Sequence, residues 1–161
     1  MTEKVDINII NSVSEPAELP FATTLMVRDH CLCLHAQRAA RALARRFDAA
    51  LRPVGLTNGQ FSLLMSLNRP EPPPMAPVAR LLAMDRTTLT AMLKPLERRG
   101  LVQVLVSEAD KRSRRLALTP AGRMLLTEAM PIWTETHAAV EAELPPGNAA
   151  RLRADLVALG S

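Results

Sequence analysis

Residues 84–123, MDRTTLTAMLKPLERRGLVQVLVSEADKRSRRLALTPAGR, constrain the fold more tightly than any other stretch of the chain. Asp85, followed by Arg86-Thr87-Thr88, is a helix-start signal, because a short acidic side chain can accept from the otherwise orphaned amides of the first turn. The helix predicted from it, Arg86–Arg99, stops at Gly100, a residue suited to the left-handed position that closes helices. Pro95 lies inside it and removes the amide that would bond the Ala91 carbonyl, so a local bend is expected there. Two apolar runs of β character follow, Leu101–Val106 and Arg115–Leu118, with a basic tip between them, Asp110-Lys111-Arg112-Ser113-Arg114. Thr119-Pro120 then opens another helix, a capping hydroxyl followed by a proline at the first helical position.

Helix, stop, hairpin and charged tip are the layout of a winged helix-turn-helix. The fold class is therefore mainly α with a small β-hairpin wing, and the N- and C-terminal helices form a dimerisation region. Residues 1–20 read as a flexible arm broken by Pro16 and Pro20. From Phe21 to about Arg52, Leu25, Leu32, Ala36, Ala39, Leu43, Phe47 and Leu51 recur at steps of three, four and seven, which predicts one long helix. Pro53-Val54-Gly55 ends it, and Thr57 with Gln60 three residues on forms a capping-box pattern. Glu71-Pro72-Pro73-Pro74 reads as a stiff loop, Met75–Leu82 as a short helix, and Ala83-Met84-Asp85 as a turn. After the hairpin, a helix from Pro120 to about Glu143 is expected to kink at Pro131, and a last one covers Asn148–Leu159. The organisation expected is residues 21–54 and 120–161 for dimerisation and residues 55–119 for the winged helix-turn-helix. A two-fold protein matches a palindromic site, so a homodimer on a pseudo-palindromic stretch of double-stranded DNA follows.

Charge distribution supports a polyanionic partner at one face. The net charge of +4 is unevenly distributed, with −3 over residues 1–20, +6 over residues 86–123 and −3 over residues 124–161, the stretch between the first two supplying the rest. No apolar run approaches the length of a membrane span, and the N-terminus has no basic-then-apolar export pattern, so a cytoplasmic protein is expected. Cys31 and Cys33 are too close to read as a structural staple, which fits a reducing compartment. No Ser/His/Asp set, glycine-rich phosphate loop or pair of carboxylates at catalytic spacing occurs, so neither an enzyme nor a cofactor is expected.

The ordered motifs Gly55-Leu56-Thr57…Gln60-Phe61…Leu63-Leu64, Met84–Thr90, Leu96-Glu97-Arg98-Arg99-Gly100-Leu101-Val102 and Asp110–Arg123 resemble the MarR family of bacterial transcriptional regulators. The resemblance covers roughly residues 25–145. Two departures are visible: Ala83 stands where a glycine is common in the helix-turn-helix turn, and prolines replace the usual Ser/Thr cap near position 74. The family implies a homodimeric DNA-binding regulator, a repressor released by a small aromatic or anionic effector such as an aromatic acid or an acyl-CoA. It also implies a pairing of Asp85 with Arg112 that sets the wing angle.

Residues are assigned accordingly. Arg86, Thr87, Thr88, Thr90, Ala91 and Lys94 lie on the leading turns of the recognition helix, where hydroxyls, methyls and cations meet base edges and phosphates. Arg112 is the minor-groove finger, with Lys111 and Arg114 on phosphates. Arg38, Arg41 and Arg45 share a stripe that, with Phe61 and Met65, would border an effector cleft; the alternative is an exposed face or dimer salt bridges. Cys33 falls where a peroxide-sensing branch of the family resembles a reactive-thiol arrangement, but that branch's two tyrosines are here Gln37 and Phe47. His30/Cys33 and Cys31/His35 form two pairs on different helix faces, too few ligands for a metal site. A thiol-based peroxide-sensing repressor and a winged-helix interaction module that does not read DNA are the alternative functions.

Overall fold

The computed structural model describes residues 18–106 and 114–160. The chain separates into two compact units, Met1–Ala39 and Ala40–Ser161.

In the first unit, α1 spans Phe21–His30, and α2, Leu32–Leu51, begins after Cys31 and continues into the second unit from Ala40. The single long helix expected from the apolar repeat is thus two helices. Cys31 takes ψ 104°, which swings its peptide out of the helical path. Its Sγ accepts the Leu34 amide at 3.4 Å, so the thiol takes the place of a capping hydroxyl for α2. The apolar periodicity runs unbroken across this point, which is why the sequence conceals the break.

The second unit holds the core. A 3-10 turn, Arg52–Val54, ends at Gly55. Then α3 (Asn58–Ser66) starts from Thr57 with the expected reciprocal cap, the Gln60 amide donating to Thr57 Oγ1 at 3.2 Å and the Thr57 amide to Gln60 Oε1 at 3.1 Å. The helix-turn-helix is α4 (Met75–Leu81) and α5 (Arg86–Arg98). Its wing is β1 (Val102–Val106) antiparallel to β2 (Arg114–Leu118), in the register Val102↔Leu118, Val104↔Leu116, Val106↔Arg114. Last come α6 (Pro120–Glu141), unbroken through Pro131, and α7 (Asn148–Leu159).

Side chains from α3, α4, α5, β2 and α6 close the core. Leu63 and Leu64 of α3, Val78 of α4, Leu89, Leu93 and Leu96 of α5, and Leu116 of β2 are almost fully buried, with Leu126 and Ala129 of α6 behind them. Spacings of three and four in α5 and of two in β2 put these residues on one face of each element. Because α5 buries Leu89, Leu93 and Leu96, its other side must face outward.

The proline stretch differs from the stiff loop expected. Pro74 forms a β-bridge with Arg115, the Leu116 amide donates to the Pro73 carbonyl at 2.9 Å, and Arg115 donates to the Pro72 carbonyl at 3.0 Å. Proline has no amide to donate, but its carbonyl accepts normally, so the stretch serves as an edge to the wing.

Candidate nucleic-acid interface

The turn between α4 and α5 fixes how the second helix projects. The Met84 amide donates to the Ala79 carbonyl at 2.9 Å and the Ala83 amide to Arg80 at 3.1 Å, the bond pair of a Schellman stop. The residue at the left-handed position is Ala83, at φ 51°. Asp85 then caps α5: its Oδ1 accepts the Thr88 amide at 2.7 Å and its Oδ2 the Thr88 hydroxyl at 3.0 Å. These Thr88 bonds hold the Asp85 carboxyl below the usual carboxylate range, so the cap is an anion at neutral pH beside the positive end of the helix dipole.

Arg86, Thr87, Thr88, Thr90, Ala91 and Lys94 are all exposed on α5. The basic groups near it divide into two kinds. Arg99 donates to the Gly55 carbonyl at 2.7 Å and Arg115 to Pro72, so these two guanidinium groups hold the scaffold. Arg86, Lys94 and Arg98 are exposed and their cationic heads engage no acceptor among the described residues. A pocket of about 320 Å³ opens between α4, α5 and β2, floored by Met75, Ala79 and Leu89 and rimmed by Arg80, Arg86 and Arg114. Arg80 was missed by sequence reasoning, since only the crossing of α4 and α5 brings it beside Arg86. On the other flank of α5, Thr87, Thr88 and Ala91 share an open depression with Thr57, Gly59 and Gln60 of the α3 start. The exposed face of α5 thus has a cationic rim on one flank and an uncharged depression on the other, and an outward helix face with cations beside it suits a major groove and its phosphates. Lys111 and Arg112, and with them the Asp85–Arg112 pairing, lie outside the described residues.

A second pocket, of about 400 Å³, lies between α3, the end of α4 and α6. Phe61 and Met65 line it as expected, joined by Trp133, Met130, Leu82 and Arg69. Trp133 stacks on Phe61 (centroids 6.1 Å apart, planes 17° apart) and on His137 (4.6 Å, 9°). His137 Nε2 lies 3.1 Å from Glu141, which also pairs with Arg153 of α7. The cation at this pocket is Arg69; Arg41 and Arg45 are exposed on α2 and do not line it. Arg38 is exposed on α2 within the first unit. Trp133 and Arg69 carried no sequence signal, because each is one residue of an otherwise ordinary helix or loop.

Cys33 is exposed and its Sγ accepts from the Gln37 amide nitrogen at 3.2 Å. The Nδ1 atoms of His30 and His35 each face a backbone carbonyl, Met26 and Cys31 respectively, at 2.9 Å.

Comparison with known proteins decides the kinship. The family model for the MarR family matches residues 56–113, the helix-turn-helix and the first part of the wing. The chain is 30% identical to the organic hydroperoxide resistance transcriptional regulator of Bacillus subtilis over 66% of its own length and 73% of that protein's. Among solved structures it is similar to the M. tuberculosis transcriptional regulator MosR in complex with DNA, at 40% identity and a TM-score of 0.74, covering 81% of this chain and 94% of that one. The chain belongs to the MarR family. It is a DNA-binding transcriptional regulator with a winged helix-turn-helix. The transcriptional repressor CouR, bound to a 23-mer DNA duplex, is also similar, at 29% identity and a TM-score of 0.75, covering 90% of this chain and all of that one. Among the described residues, no helix of this MarR-family chain is long and apolar enough to cross a membrane.

Proposed function

We propose that this MarR-family regulator is a homodimeric repressor that grips a pseudo-palindromic operator and lets go when a small aromatic or anionic effector binds. Residues 21–54 and 120–161 join the two copies, and residues 55–119 of each meet the DNA. Arg86, Thr87, Thr88, Thr90, Ala91 and Lys94 lie against the major groove, while Arg112 reaches the neighbouring minor groove with Lys111 and Arg114 on phosphates. The observation that carries the reading is the outward face of α5, where exposed cations have no acceptor within the described protein. The DNA-bound similar proteins, and the name repressor carried by one of them, support it. The effector site is the apolar pocket of Phe61, Met65 and Trp133, with Arg69 as the cation for a carboxylate or phosphate. Binding there acts on DNA only so far as the effector prefers the arrangement that cannot span both half-sites.

A salt titration of duplex binding tests the reading. Neutralised phosphates release counterions, so affinity falls steeply with salt, and Lys94→Ala or Arg112→Ala lowers the slope by about one. A salt-independent interaction would make the chain an interaction module instead.

A second reading, a peroxide-responsive repressor, is favoured by one contact and one relative. Cys33 is exposed, within reach of a soluble oxidant, and a Gln37 amide donates to its sulfur. The Bacillus relative is an organic hydroperoxide resistance regulator. If peroxide releases DNA from the unaltered protein and from Cys33→Ser alike, Cys33 is not the sensor.

A further inference from the structure

Hydrogen-bond accounting along α5 says which base edges this helix can read, an inference that rests on the DNA-binding reading above. The residues facing most directly away from the buried Leu89, Leu93 and Leu96 are Thr87, Ala91 and Arg98, with Lys94 next to them and Thr90 at one side of the exposed face. Thr90 Oγ1 donates to the Arg86 carbonyl at 2.7 Å. Thr88 Oγ1 donates to Asp85 Oδ2 at 3.0 Å. A hydroxyl has one hydrogen, so neither threonine has a donor left for a base. Threonine is stiff about its first side-chain torsion, so fixing the oxygen also fixes the methyl. Ala91 has only a methyl to offer. The reading face therefore presents the Ala91 methyl near its centre and, at one side, the methyl and remaining acceptor lone pairs of Thr90, with the Thr87 hydroxyl and the Lys94 ammonium nearby.

Guanine shows only acceptors in the major groove, and cytosine offers a donor but no methyl. An A·T pair shows both the C5-methyl of thymine and the N6 donor of adenine, the two features that a donor-less, methyl-bearing Thr90 complements. We propose that Thr90 and Ala91 are the specificity-determining pair of this regulator and that they read thymine, packing their methyl groups against C5-methyls at an A·T pair opposite the middle of α5. The Thr88–Asp85 bond persists at neutral pH because the carboxyl is held ionised.

The test starts from duplexes selected from a random library by the full chain. Each deoxythymidine of a tightly bound duplex is then replaced in turn by deoxyuridine, which pairs identically and lacks only the methyl. The expected result is a loss of roughly fourfold per contacted thymine, the factor for one buried methyl group. Thr90→Ser keeps the hydroxyl and should abolish the sensitivity at one position. Thr90→Val keeps the methyl and should retain it, with thermal melting confirming that both variants fold. Specific binding indifferent to every deoxyuridine overturns the proposal and leaves DNA binding intact. Loss of sensitivity in Thr90→Val equal to that in Thr90→Ser also overturns it, because the hydroxyl would then be the reader. Failure to enrich any duplex, with no salt-dependent binding, sinks the DNA reading itself.

Discussion

Ala83 is the one non-glycine residue among those described with a positive φ, 51°, and it stands where the resemblance had marked a departure from glycine. An L residue in the left-handed region is strained by about 1–2 kcal/mol, and the greater unfolded-state freedom of glycine offsets part of that. Ala83→Gly should thus raise stability by roughly 0.5–1 kcal/mol in chemical denaturation, without altering DNA affinity. Asp85 makes an opposite case, a residue whose charge and geometry agree. Its carboxyl titrates below the ordinary carboxylate value of about 3.9, so its contribution is complete above that value and disappears as pH falls through the depressed one. Asp85→Ala should lower the melting temperature at neutral pH by about 2–4 °C, the shift associated with one cap in a chain of this size. Asp85→Asn, which still offers an acceptor to the Thr88 amide, should lose less and should melt with a flatter dependence on acid.

At the scale of elements, the joint between wing and α6 depends on a close approach. The Thr119 hydroxyl accepts the Gly122 amide at 3.0 Å to start α6 and donates to the Gly100 carbonyl at 2.7 Å, tying the helix start to the end of α5. The Thr119 amide donates to the Leu101 carbonyl at 3.1 Å. A Cβ at Gly122 would lie 2.2 Å from that same Leu101 carbonyl oxygen, a backbone atom with no rotamer to escape into. Gly122→Ala should therefore cost about 2–3 kcal/mol or more by overpacking, read as a drop in denaturation midpoint. The proline edge shows the other side of element packing. Pro72 and Pro73 accept from Arg115 and Leu116 and Pro74 bridges Arg115, so β2 is held on its second edge by a stretch that the sequence marked only as a stiff loop.

For the whole molecule, the proposed effector pocket carries its own reporter. Trp133 is the single tryptophan and the chain has no tyrosine, so ultraviolet-excited emission arises at the pocket wall. Titration with an aromatic carboxylate such as 4-hydroxybenzoate should quench that emission saturably, and Arg69→Ala should weaken the apparent affinity about tenfold, the loss of one charge-assisted bond. Linkage requires reciprocity: operator DNA must weaken the carboxylate by the same factor by which the carboxylate weakens DNA. Quenching that is saturable but unaffected by DNA would separate the pocket from regulation.

Local chemistry determined much of this protein from sequence alone. Thr57 with Gln60, Asp85, Gly100 and Thr119-Pro120 mark helix ends by bonds within four residues, and each formed where its residue type demanded. The apolar repeat that predicted α2 likewise included Phe47 and Leu51, which are buried. Groups brought together by chain crossings were legible only in three dimensions. Arg80 beside Arg86, Trp133 and Arg69 beside Phe61, the prolines beside β2 and the Gly122 contact with Leu101 join residues 6 to 72 positions apart. The break at Cys31 belongs with them, since a sulfur cap leaves the apolar repeat intact. Even the assignment of Thr88 and Thr90 divided in this way: their position on the reading face came from spacing, but which of their atoms remain for DNA was decided by hydrogen bonds that only folded geometry reveals.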